Sequence, residues 1–69
     1  MDITILCTDN KHKIIPFLEK WKVSNSNNHN ISIVNSSSEV KNGNILFLIS
    51  CLEIIKADLR SRFQHTLVI

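Results

Sequence analysis

Sixty-nine residues with 43% apolar content, one glycine, one proline and a formal charge of +2 confine the protein to a single small domain. A chain of this length buries only about 60% of the surface its unfolded form exposes, so its stability margin is thin and a staple or partner is expected. Two cysteines do not make a disulfide-rich scaffold, and the longest apolar run, Ile45 to Ile49, is far short of the ~20 residues that span a bilayer. Eight basic against six acidic residues provide no nucleic-acid face, and the whole reads as a small soluble cytoplasmic chain.

Ile3, Ile5, Leu6 and Cys7 form a short run rich in β-branched residues, which predicts a buried strand over Met1 to Cys7. Thr8-Asp9-Asn10 follows, three residues whose side-chain oxygens accept from free backbone N–H groups and so favour turns and helix N-caps. From about Lys11 to Val23, Ile14, Phe17, Leu18 and Trp21 recur at helical spacing and predict an amphipathic helix, with Phe17 and Trp21 as core or sheet-packing residues rather than a stacking platform. Pro16 fits only near the first turn, where no backbone donor is needed, which starts the helix near His12 or Lys13.

Between Ser24 and Asn44, 13 of 21 residues are Ser or Asn, leaving Ile31-Ser32-Ile33-Val34 as the one segment able to make a strand. Asn42-Gly43 reads as a turn, with Gly43 free to adopt positive φ. Ile45-Leu46-Phe47-Leu48-Ile49 is apolar on both faces, as strands in the middle of a covered parallel sheet are. Leu52, Ile55, Leu59 and Phe63 then align on one face of a second helix over Leu52 to Phe63, with Arg60 and Arg62 near its end. Gln64-His65 is a turn, and Thr66 to Ile69 a last strand.

This order predicts an α/β fold: a small open, mostly parallel sheet of about four strands with two helices, in residues 1–69. Right-handed crossovers with the first strand in the middle give strand order 2-1-3-4 and one helix on each face. The short Asn/Ser-rich link before Ile45 leaves a hairpin, and a mixed sheet, as the alternative.

Ligands of open α/β sheets bind beyond the carboxyl ends of strands that flank the switch point. That places Thr8, Asp9 and Asn10 beside Ser50, Cys51, Leu52 and Glu53. Neither a glycine-rich phosphate turn nor a Walker loop is present, and His12, His29 and His65 have no metal-ligand spacing with Cys7 or Cys51. Asp9 is favoured as a helix N-cap over a catalytic carboxylate, and Cys7 and Cys51 as reduced buried thiols over a redox pair.

The run Asn44 to Leu59, with Phe63 to Ile69 after it and Met1 to Cys7 before it, resembles the folate-dependent formyltransferases. These include methionyl-tRNA formyltransferase and the sugar N-formyltransferases. Their pattern is an aspartate- or asparagine-led apolar strand, a short loop, a pair like isoleucine-leucine, a helix, and a strand that delivers the catalytic histidine. The resemblance implies a partial Rossmann-like N-terminal subdomain and formyl transfer from 10-formyltetrahydrofolate to an amine of a nucleotide sugar or aminoacyl-tRNA. It also implies a pterin-cradling loop at Ser50, Cys51, Leu52, Glu53, Ile54 and Ile55; the position of Thr8, Asp9 and Asn10 in the crevice beside it makes them the candidate substrate contacts.

The family's asparagine, histidine and aspartate stabilise the oxyanion and manage protons. Val68 aligns with the asparagine and cannot donate, His65 precedes the strand, and the other two have no counterparts. The expectation is therefore an N-terminal fragment, cut after Ile69 and inactive alone. The competing expectation is a small interaction module without chemistry, which forms homo-oligomers through an exposed sheet edge and needs neither membrane nor nucleic acid. A response-regulator-like domain ranks lower, because paired acidic residues after the first strand are missing.

Overall fold

The computed structural model describes residues 1–9, 11–51 and 54–68. Alternating apolar residues build β1 (Asp2–Leu6) and β2 (Asn30–Val34), and the continuous apolar run builds β3 (Gly43–Leu48). With β4 (Phe63–Val68) they form a parallel sheet in the order β2-β1-β3-β4. The expected strand order is thus found, and the hairpin alternative before Ile45 is not. β3 lies between β1 and β4, as its apolar character on both faces requires.

Two helices complete the fold: α1 (Ile15–Asn25) between β1 and β2, and the single turn α2 (Ala57–Arg60) between β3 and β4. Strand side chains alternate between faces, so each face has its own core. One gathers Ile3, Ile5, Ile31 and Ile49 around Leu18 of α1. The other gathers Leu6, Val40, Leu46 and Leu48 around Leu59 of α2, together with Phe63. β2 reaches β3 without a helix. A 3-10 turn at Ser37–Glu39, closed by a capping box between Ser36 and Glu39, delivers Val40 into the second core.

Polar residues of the Asn/Ser-rich segment tie the amino end of the sheet together. The Asp2 N–H donates to Asn44 Oδ1 at 2.8 Å, and Asn30 Nδ2 donates to Asp2 Oδ1 at 2.9 Å.

Several expected boundaries are corrected. Residues 11–14 form turns, and α1 starts only at Ile15, with Pro16 in its first turn where its missing N–H costs nothing. Phe17 is 71% exposed and Trp21 40%, so Phe17 is a surface residue. Gly43 has no positive φ; it opens β3 and pairs with Phe63. The second helix is one turn rather than the span from Leu52 to Phe63, and β4 takes in Phe63, Gln64 and His65. Ile55, Leu59 and Phe63 do share one core, as their spacing implied, but by loop, helix and strand in succession. Parallel pairing of Phe63 with Gly43 and of His65 with Ile45 satisfies backbone groups that a longer helix would have satisfied internally. The expected residues Asn10, Leu52, Glu53 and Ile69 lie outside the described residues. No helix among the described residues is long and apolar enough to cross a membrane.

Candidate functional site

At its carboxyl end, β1 is joined by backbone hydrogen bonds to the chain on either side, toward β3 and toward β2. The Ile49 N–H donates to the Leu6 carbonyl at 3.0 Å, and the Cys7 N–H to the Val34 carbonyl at 3.0 Å. Immediately beyond, Thr8 Oγ1 donates to the Ser50 carbonyl at 3.2 Å, bringing together the two loops singled out in the sequence. Ser50 sits at φ 48°, in the left-handed region where a non-glycine residue is uncommon. This conformation turns the chain out of the sheet directly after β3.

Asp9 does not cap α1. Its Oδ1 accepts from the Lys11 N–H at 3.1 Å and its carbonyl from the His12 N–H at 3.1 Å, which makes a local turn. The helix N-cap is Ile14, which has no side-chain cap; its own N–H donates to His12 Nδ1 at 3.1 Å. His12 therefore shapes the approach to α1, a role its sequence position gave no sign of.

Both cysteines are free, Cys7 buried and Cys51 half-buried. Burial pushes the Cys7 thiol above its ordinary value of 9.0, with the nearby Asp9 charge and Cys51 acting in the same direction; its hydrogen bond to the Asp9 carbonyl, 3.3 Å, opposes them. A thiol held protonated in this way is a poor nucleophile near neutral pH. Among the described residues no three of the His, Cys, Asp and Glu side chains gather as a metal site would need.

At this end of the sheet the described residues enclose an open space between β3 and β4. It is a crevice of about 570 Å³ on the α2 side. Leu48, Ile55 and Val68 supply its apolar wall, and Ser50, Cys51 and Thr66 its polar atoms. Among the described residues, Arg60 is the one charged residue lining it. Of the expected cofactor loop, Ser50, Cys51 and Ile55 line this crevice, while Ile54 is 89% exposed and absent from its wall. Thr8 contacts Ser50, and neither Thr8 nor Asp9 is among the described residues that line the crevice. Arg60 and Thr66 were missed in the sequence because their positions depend on where α2 ends and β4 begins.

Compared with known proteins, the chain matches no protein-family model, no curated protein and no solved structure.

Proposed function

We propose that the chain is formyltransferase-like and holds 10-formyltetrahydrofolate through the loop at residues 50–55. The observation that carries this reading is the 570 Å³ crevice at the carboxyl end of a parallel sheet, bordered by Ser50, Cys51 and Ile55, the loop that the resemblance assigns to the pterin. At the end of β4, Val68 stands at the position the resemblance aligns with the family's asparagine and has no side-chain donor, so binding without formyl transfer is the behaviour proposed.

The test is a titration of the 15N-labelled chain with the stable analogue 5-formyltetrahydrofolate, and a turnover assay with 10-formyltetrahydrofolate and a nucleotide amino sugar. Saturable shifts confined to residues 48–68, with no formylated product, are expected. An absence of shifts in that region would overturn the cofactor reading, and detectable product would overturn the inactive one.

One observation favours a second reading, an interaction module that self-associates. β4 is an edge strand whose last residues are uncovered, Leu67 48% and Val68 79% exposed.

A further inference from the structure

Pterin rings are neutral near pH 7, so a site for the ring alone has no use for a fixed cation. The crevice nevertheless contains one. Arg60 comes from α2, is exposed, and forms no ion pair among the described residues. A guanidinium presents five donors in a planar fork that suits a carboxylate, and no acidic side chain among the described residues lines this wall. Next to it, Leu48, Ile55 and Val68 provide an apolar surface, and Thr66 a hydroxyl. An apolar wall with one cation beside it fits an amphiphile that has a flat body and an anionic end.

We infer that Arg60 binds a carboxylate of a flat aromatic acid, with the body of that ligand lying against Leu48, Ile55 and Val68. The inference rests on the cofactor reading for the choice of ligand. In a folate the anionic part is the aminobenzoyl-glutamate end, so that end occupies the crevice beside α2 and the pterin lies toward the loop after Ser50. Charge fixes the orientation, because the reverse pose places a neutral ring on the guanidinium and leaves the carboxylates on aliphatic side chains.

The probes are 4-aminobenzoyl-glutamate and its uncharged diamide, titrated by calorimetry into the wild-type chain and into Arg60→Gln and Arg60→Lys. Arg60 is exposed, so both variants keep the fold, which far-UV circular dichroism checks. The wild type should prefer the acid over the diamide by roughly tenfold or more, Arg60→Gln should lose that preference, and Arg60→Lys should restore part of it. Equal binding of acid and diamide to the wild type, or a preference that survives in Arg60→Gln, would overturn the inference. The two readings fail separately. If 5-formyltetrahydrofolate binds wild type and Arg60→Gln equally, the assignment of Arg60 is wrong and the cofactor reading stands. If the acid binds through Arg60 and the folate does not, the anion site stands and the cofactor reading falls.

Discussion

The single glycine is placed by a close approach of side chain and backbone, not by a turn. A Cβ at Gly43 would lie 3.0 Å from the Asp2 carbonyl oxygen, 3.2 Å from Asp2 Cβ and 3.2 Å from a ring carbon of Phe63. The nearest of these atoms belongs to the backbone of the neighbouring strand, so no rotamer change relieves it. Gly43→Ala should therefore cost about 1–3 kcal/mol, as small-to-large changes in packed sites do. It should appear as a lower urea midpoint with an unchanged slope, whereas an unchanged midpoint would mean that β1 and β3 can separate slightly at no cost. The positive φ expected of this glycine is found instead at Ser50. Serine gives little sign of it, and the hydrogen bond the Ser50 carbonyl accepts there comes from Thr8, far away in the sequence.

At the scale of the elements, legibility followed the strength of the hydrophobic pattern. β1, β2 and β3 are read directly from Ile3-Ile5, Ile31-Ile33 and Ile45 to Leu48, and the strand order follows from chain handedness and short connections. α2 and β4 were misread because apolar residues every four positions show which side chains share a core and not the backbone path between them. The same error hid Arg60 and Thr66 from the candidate site, while Ser50 and Cys51 could be named because they follow the strongest strand. The β2–β3 link shows how a short crossover succeeds. Glu39 Oε2 accepts from the N–H groups of Asn35 at 3.0 Å and Ser36 at 3.2 Å, while Arg62 Nη1 donates to the Val40 carbonyl at 3.2 Å. These bonds fold the link tightly enough to bury Val40 under the sheet. Glu39→Ala removes the carboxylate that closes the capping box, and should lower stability by about 1 kcal/mol. Glu39→Gln, which keeps an acceptor oxygen, should lose less. Chemical denaturation of the two variants side by side distinguishes a cap from a simple surface charge, for which both would lose the same.

The whole molecule joins a thin core to an open edge. Its two cores lie on opposite faces of the sheet, and among the described residues the edge strand β4 pairs with β3 alone, beside the exposed side chains of Leu67 and Val68. On the α1 side, a groove of about 290 Å³ between α1 and β3 has an almost wholly apolar lining that includes Leu18, Trp21 and Phe47. Leu67 is on the strand next to that groove and pairs with Phe47 in register. A domain of this size has few kilocalories to spare, so an apolar edge matters more here than on a larger protein. If a second copy covers the edge, association and folding are linked, and stability rises with protein concentration. The urea midpoint should then increase over a hundredfold range of concentration, and sedimentation should show a mass above that of the monomer at the upper end. Leu67→Lys places a charge on the edge, a device by which natural sheets block strand addition, and should remove both effects. A monomeric mass together with a midpoint independent of concentration would rule out self-association through β4, and the cofactor reading would then stand without a rival.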